Sequence, residues 1–199
     1  MPAALNTVFR LLVLLALGAA PLAFPLSAAE LEGVALEKRV QVDGEELQLN
    51  GAAVRTRVIF KVYVAGLYLP VRAATAQEAI ESKGPKRIIL VMLRDASAQQ
   101  FVDSIDAGLR ANNSEGEIAA VKPQTDELMA MIRAVGEAKK GMRIVLDYVP
   151  REGTTLFVDG VAQGKPMAGR AFNQALLRIW LGEDPVQLDL KEALLGGSQ

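Results

Sequence analysis

Neither cysteine nor histidine occurs among the 199 residues of this chain. Without cysteine no disulfide can brace the fold, so its stability must come from the burial of apolar side chains. Without histidine the Ser-His-Asp and Cys-His nucleophile systems and the usual zinc sites are excluded. Asp103 and Asp106 form one carboxylate pair at i, i+3 spacing, but a solvated helix face explains them more simply. We therefore predict no metal site and no cofactor.

The charged residues nearly balance, with 22 Lys and Arg against 23 Asp and Glu. They form no basic block. A nucleic-acid binding protein needs a concentrated positive face to neutralise phosphates, so we exclude nucleic acid as a partner. The sequence identifies no protein partner.

Residues 1–29 have the pattern of a secretory signal peptide. Arg10 precedes the apolar run LLVLLALGAA, and the small residue Ala29 ends a suitable cleavage site. The run is short for a transmembrane helix, which needs ~20 apolar residues, and prolines interrupt its continuation. We predict that the signal peptide is cleaved and that residues 30–199 form one periplasmic or secreted domain without a membrane span.

The longest stretch with a β-strand pattern is VRTRVIFKVYVAGLYL, residues 54–69. Alternation along one strand would place its valines on an apolar face. The other face would carry Arg55, Arg57, Lys61 and Tyr63. Three cations and a phenol on such a strand indicate either a site that faces an anion or a solvated face of an antiparallel sheet.

A hairpin is predicted before this strand. Residues 38–49 alternate polar and apolar side chains around Asp43-Gly44, which is a favoured pair for a type I′ turn. Asn50-Gly51 supplies a second turn signal. The long strand would then be the third member of an antiparallel meander.

Helix and strand signals alternate through the rest of the chain. Capping boxes at Thr75 and Ser97 each predict the start of a helix. After its first two residues, the segment of residues 86–93 is apolar at both odd and even positions, which is typical of a strand buried on both faces. Gly108 on the apolar stripe of the second helix either permits close backbone approach to the sheet or leaves room for a ligand, and we predict close packing. Trp180 is interpreted as a core residue. The order β-β-β-α-β-α-α-β-β-β-α-α predicts one α+β domain with helices over an antiparallel sheet.

Three segments together resemble the chalcone isomerase-like family. They are GAAVRTRVIFKVYVAGLYLP at residues 51–70, RIILVMLRDASAQQFVDSIDAGL at residues 87–109 and ALLRIWLGEDPVQLDLKEALLG at residues 175–196. The resemblance covers nearly all of the chain after residue 29 and is to the exported bacterial branch. It implies an open-faced β-sandwich, a large antiparallel sheet covered by helices, with a ligand cleft between the helices and the long strand.

The resemblance also implies functional positions. The family's cleft arginine corresponds to Arg55, and a hydroxyl-bearing residue, also Tyr in fatty-acid-binding relatives, corresponds to Tyr63. A tyrosine and an asparagine on the cleft helix of the plant enzymes correspond to Phe101 and Gly108, which lack those polar groups. A hydroxyl position on a later helix corresponds to Asn173. The chain keeps both anion-holding groups and departs from the catalytic pattern.

We therefore predict a noncatalytic binder of a small apolar carboxylate such as a fatty acid. Arg55 and Tyr63 would hold the carboxylate. Phe101 and Ile105 would contact the tail, and Asn173 would lie near the ligand. One alternative is an isomerase, an intramolecular lyase of the chalcone isomerase type, in which Arg55 would stabilise a developing oxyanion. Another is a structural or assembly protein of the envelope with a vestigial cleft.

Arg55 and Tyr63 can share a ligand only if the strand bends. Eight residues of straight strand would separate them by ~26 Å. We therefore expect a bulge or kink between Arg55 and Phe60.

Overall fold

The computed structural model describes residues 29–197, and residues 1–28 of the predicted signal peptide lie outside this part. The strands are β1 (Ala29–Leu31), β2 (Val34–Leu36), β3 (Arg39–Val42), β4 (Glu45–Arg57), β5 (Phe60–Leu69), β6 (Lys86–Met92), β7 (Arg143–Val149), β8 (Gly153–Val158) and β9 (Val161–Ala162). The helices are α1 (Ala76–Glu81), α2 (Ala98–Asn112), α3 (Glu115–Ala120), α4 (Lys122–Val135), α5 (Arg170–Leu181) and α6 (Leu188–Leu194).

The main sheet has seven antiparallel strands, β3 to β9, in chain order. The helices cover one face of this sheet, where Leu67, Leu90 and Leu176 belong to the main core. The other face carries a smaller core around Tyr68 and Ile89, which the separate β1–β2 hairpin helps to cover. The predicted α+β class, with helices over an antiparallel sheet, is confirmed, and the β1–β2 hairpin is an addition to it.

The single strand predicted over residues 54–69 is wrong. These residues belong to β4 and β5, which pair as a hairpin around the two-residue turn Val58-Ile59. Valine and isoleucine are strand-forming residues, whereas hairpin turns favour Gly, Asn and Asp. The sequence therefore continues its strand pattern through the turn, and nothing in it marks the reversal of the chain.

The turn predicted at Asn50-Gly51 is also wrong, because β4 continues through both residues with an irregularity in its register. The buried Asn50 amide donates to the carbonyl oxygens of Ala73, at 3.0 Å, and Leu194, at 2.7 Å. A Cβ at Gly51 would overlap the carbonyl oxygen of Ala193 in α6. This pair of residues is needed for a buried polar contact and a close helix approach rather than for a turn.

Other local signals are confirmed. The Asp43-Gly44 turn joins β3 to β4, and both residues have the positive φ that a type I′ turn requires. Both capping boxes are present, with the Thr75 hydroxyl accepting from the N–H of the third helical residue of α1 and the Ser97 hydroxyl doing the same in α2. These short-range patterns predict the structure well because each satisfies its own backbone groups locally.

The prediction that residues 86–93 form a doubly buried strand is confirmed. β6 lies between β5 and β7, with Leu90 in the core under the helices and Ile89 in the core on the opposite face. Gly108 does permit close packing, but its neighbour is a helix rather than the sheet. A Cβ at this position would lie 2.8 Å from Cγ2 of Ile179 in α5.

Candidate ligand-binding cavity

A cavity of about 460 Å³ lies between the helix-covered face of the sheet and helices α2, α4 and α5. Its lining is mostly aliphatic and aromatic, with Leu90 and Leu146 from the sheet and Ile132 and Ile179 from the helices among its residues. Small-molecule pockets commonly measure ~300 to 1,000 Å³ and combine an apolar wall with a few polar groups. This cavity therefore has the size and polarity of a site for a small apolar ligand.

Helix α2 contributes two of the predicted ligand contacts. Phe101 and Ile105 are spaced one helical turn apart, so they lie on the same side of the helix. Both are half-buried, pack against the main core and line the cavity. The structure places them where they can contact the apolar part of a ligand.

The β4–β5 hairpin brings Arg55 and Tyr63 together as cross-strand partners. Both residues line the cavity. The expected irregularity is present as a register shift between Arg55 and Thr56, but it is the turn that makes the two side chains neighbours. In an antiparallel pair, directly opposite residues have Cβ atoms about 4.5 to 5.5 Å apart and point to the same face, so one ligand head group can reach both.

The hydroxyl oxygen of Tyr63 accepts hydrogen bonds from its neighbours. The Nε1–H of Trp180 donates to the Tyr63 oxygen at 3.1 Å. Among residues 29–197 no acceptor takes the proton of Tyr63 itself. Burial raises the pKa of this phenol, an effect that the Trp180 hydrogen bond and the positive charge and hydrogen bond of Arg55 offset in part. Tyr63 is therefore a neutral hydrogen-bond donor at neutral pH, and its O–H is available to a ligand.

The guanidinium of Arg55 is held in place by hydrogen bonds to neutral groups. Its Nη1 donates to the backbone oxygen of Thr56 at 2.6 Å and to Oε1 of Gln187 at 3.2 Å. The same Gln187 oxygen accepts from the Thr56 N–H at 2.7 Å. Within the described residues no carboxylate lies within 4 Å of Arg55. A half-buried cation thus faces an apolar cavity without a protein counter-charge.

Arg57 lies two residues further along β4 and has a different environment. Its side chain is exposed and lines the outer part of the cavity beside the hairpin turn. It pairs across the hairpin with Phe60, whose ring lies 4.6 Å from the guanidinium carbon of Arg94. The two arginines of β4 are therefore unequal, one braced inside the cavity and one at its opening.

The structure does not bring Asn173 or Gly108 to the cavity. Asn173 is buried in α5, where its Oδ1 accepts from Nζ of Lys86 at 3.4 Å, and Gly108 faces Ile179. We therefore leave Asn173 out of the site.

The sequence did not assign two residues that belong to the site. Trp180 is a core residue, as predicted, but it also lines the cavity and positions the Tyr63 hydroxyl. Trp180 lies in the segment of residues 175–196 that carries part of the family resemblance, and this position could have identified it as a site residue. Gln187, which braces Arg55, lies 132 residues away in the sequence and carried no such signal.

The carboxylate pair on α2 makes local contacts. Asp103 accepts a hydrogen bond from Gln99 at 2.7 Å, and Asp106 forms an ion pair with Arg110 at 2.8 Å. Over residues 29–197 there is no group of three or more His, Cys, Asp and Glu placed to hold a metal ion. Within the same range, no helix is both long and apolar enough to span a bilayer.

Comparisons with known proteins agree with this architecture. A fatty-acid binding protein from Arabidopsis thaliana has a solved structure similar to this one, with a TM-score of 0.64 over 82% of this chain and 92% of that chain. The two sequences are 13% identical, so the likeness concerns the fold. No curated protein sequence matches the chain. A family model described as chalcone isomerase-like matches residues 28–196. Because that match spans most of the sequence, the chain belongs to the chalcone isomerase-like family.

Proposed function

We propose that this protein binds a small apolar carboxylate, such as a fatty acid, without converting it chemically. The observation that carries the proposal is the Arg55 guanidinium, which faces an apolar cavity with no carboxylate within 4 Å among the described residues. A cation removed from water is costly unless an anion or strong acceptors surround it. A ligand carboxylate would supply that missing charge.

The contacts of Arg55 and Tyr63 support two hydrogen bonds to the carboxylate, one from each side chain. Nη1 of Arg55 is occupied by Gln187 and Thr56, which leaves the other guanidinium N–H groups for the ligand. The Tyr63 hydroxyl, oriented by Trp180, would donate the second hydrogen bond. Hydrogen bonds to a charged group contribute ~1.5 to 3 kcal/mol, more than neutral ones.

The apolar wall supports a hydrocarbon tail. Phe101 and Ile105 lie on the helix side of the cavity and Leu90 and Leu146 on the sheet side. Each methylene group transferred from water to such a wall contributes about 0.8 kcal/mol. The tail would thus provide most of the affinity, and the head group would set the orientation. The fatty-acid binding protein that shares the fold is in keeping with such a ligand.

The test is titration of one long-chain fatty acid into purified Arg55→Ala and Arg57→Ala variants. Loss of a charged hydrogen bond predicts that Arg55→Ala weakens binding by roughly tenfold to a hundredfold. Arg57 is the matched control, because it is exposed and lies on the same strand. Its contribution should stay below about 1 kcal/mol, or roughly fivefold.

Equal losses in the two variants would mean diffuse surface charge instead of a specific site. A larger loss for Arg57→Ala would mean that the ligand's carboxylate lies at the opening of the cavity. Both variants should remain folded, since neither side chain fills the core, and circular dichroism during urea titration checks this.

The isomerase alternative uses the same two groups. Arg55 and Tyr63 are hydrogen-bond donors that would also stabilise a phenolate or enolate oxygen while the substrate closes its own ring. Absorbance of a hydroxychalcone distinguishes the two functions. Turnover above the uncatalysed rate that disappears in Arg55→Ala would replace the binding function with an enzymatic one.

We also propose that the protein is an exported bacterial member of its family and acts in the periplasm or outside the cell after cleavage at Ala29. The signal-peptide pattern of residues 1–29 supports this, and the family match begins at residue 28. Intact mass and N-terminal sequencing of the protein from a secreting host test it. A mature chain that starts at Glu30 is expected, and a chain that retains the apolar run in the cytoplasm would contradict it.

A further inference from the structure

Three large apolar side chains are exposed at the end of the β4–β5 hairpin. The exposed fractions are 89% for Val58, 79% for Ile59 and 54% for Phe60. We call residues 56–61 the hairpin tip. They pair only within the hairpin, because β6 reaches β5 only as far as Tyr63 and β3 pairs with the other end of β4. The hairpin tip is a convex apolar projection from the sheet.

The composition of this turn differs from that of the comparable turns. The two-residue turns that join β3 to β4 and β8 to β9 are Asp43-Gly44 and Asp159-Gly160. Val58 has a φ of 59°, a conformation that is unfavourable for a β-branched residue and that Gly adopts freely. Apolar residues thus occupy a position where both solubility and backbone geometry favour others, which indicates a contact beyond the fold itself.

Positive charge surrounds the apolar side chains. Arg57 and Lys61 lie within the hairpin tip, and Arg94 stacks on the ring of Phe60. Lys61 forms an ion pair with Glu32 at 2.8 Å. Over residues 29–197 no carboxylate lies within 4 Å of Arg57 or Arg94, so both guanidinium groups can pair with an external anion.

We propose that the hairpin tip docks on the surface of a membrane that contains anionic phospholipids. A convex apolar point with a cationic rim matches the interface of a bilayer, where side chains enter the acyl boundary and cations meet phosphate groups. Val58 and Phe60 also line the cavity, so docking would place its opening at the membrane. This last consequence, uptake of a carboxylate from the bilayer, rests on the proposed function.

The absence of cysteine from the chain allows a single label to report on docking. An environment-sensitive fluorophore is attached to an Ile59→Cys variant and, as control, to a Val71→Cys variant. Val71 is 73% exposed and follows the opposite end of β5. Vesicles of phosphatidylethanolamine with phosphatidylglycerol are then added. The label at position 59 is expected to shift to an apolar environment, and the label at position 71 is expected to remain in water.

Vesicle flotation of unlabelled variants measures the strength of docking. Ile59→Ser is expected to weaken binding about tenfold or more, and Val71→Ser to leave it unchanged, because only Ile59 would enter the bilayer. Arg57→Gln with Arg94→Gln is expected to lose roughly fivefold for each cation. Binding should be absent on pure phosphatidylcholine and should weaken as salt is added.

The proposal is overturned if the wild-type protein does not float with the anionic vesicles, or if Val71→Ser loses as much binding as Ile59→Ser. It is also overturned if the hairpin tips instead pair two copies of the chain, seen as a dimer that Ile59→Ser dissociates. Ile59 does not line the cavity, so Ile59→Ser should bind soluble fatty acid normally. Loss of docking with intact fatty-acid binding would therefore leave the proposed function standing.

Discussion

Lys86 is a buried amine whose replacement should change how the stability of the protein depends on pH. It lies at the start of β6 and is 1% exposed. Its Nζ donates to Asn173 and lies 4.8 Å from the centre of the Tyr148 ring. Burial, together with the positive charge of Arg170, lowers the pKa of Lys86 from 10.5 to about 8. The folded state therefore disfavours the charged form of this lysine.

The size and sign of the effect follow from linkage. Between pH 8 and 10.5 the unfolded chain holds the Lys86 proton more tightly than the folded chain does. The free energy of unfolding must then rise as the pH rises through this window. At roughly 1.4 kcal/mol for each pH unit between the two pKa values, the upper limit is about 3 kcal/mol, and about 2 kcal/mol should be gained between about pH 7.5 and about pH 10.

Urea unfolding of wild type and Lys86→Met, followed by fluorescence of the single Trp180, measures this difference. Lys86→Met should lack the rise of about 2 kcal/mol, since methionine does not titrate. Its stability at neutral pH is a poorer measure, because Asn173 loses its partner at the same time. Lys83→Met, at an exposed lysine, is the control and should keep the wild-type rise. Parallel curves for wild type and Lys86→Met would refute the reasoning.

Two further predictions concern the packing of α2. Ile105→Trp should fill part of the cavity and weaken fatty-acid binding at least tenfold. Leu188→Trp, at an exposed position, is the control and should not change the affinity. Unchanged affinity in both variants would mean that the ligand binds elsewhere. Gly108→Ala should destabilise the fold by ~1 to 3 kcal/mol in urea unfolding, because its Cβ would lie 2.8 Å from Ile179. Gly116→Ala in α3, with open space around it, should be neutral or up to ~1 kcal/mol stabilising, and equal effects would contradict the packing argument.

The local parts of the fold could be predicted from sequence because their signals are local. The capping boxes at Thr75 and Ser97 and the turn at Asp43-Gly44 each satisfy nearby backbone groups, so the residues that make them also reveal them. The strand β6 could be predicted for a similar reason, because apolar residues at both odd and even positions of a short segment indicate a strand that is buried on both faces.

Features that depend on distant contacts could not be predicted in this way. The Asn50-Gly51 pair looks like a turn, but it serves the packing of α6 against β4. The Val58-Ile59 turn looks like strand, because both residues are strand-forming and Val58 takes a positive φ without the Gly, Asn or Asp that usually marks such a turn. In each case the local secondary-structure preference of the residues differs from the structure that they adopt in the fold.

The candidate site was half predictable. The family resemblance selected Arg55 and Tyr63, but only the hairpin explains how residues eight apart can be neighbours. Trp180 and Gln187 orient those two groups from α5 and from the start of α6, more than a hundred residues away in sequence. Periodicity reports which face of an element is apolar, and it holds no information about which distant donor will meet a given hydroxyl.

The most direct test of the proposed function is native mass spectrometry of the protein purified from cells that express it, with organic extraction of what it carries. One carboxylate with a hydrocarbon tail for each chain is expected, and a smaller fraction of Arg55→Ala chains should carry it. Titration with fatty acids of increasing length should show affinity that rises about fourfold per methylene, at ~0.8 kcal/mol each, until the tail exceeds the cavity. A protein that carries no carboxylate and binds none at any length would contradict the account.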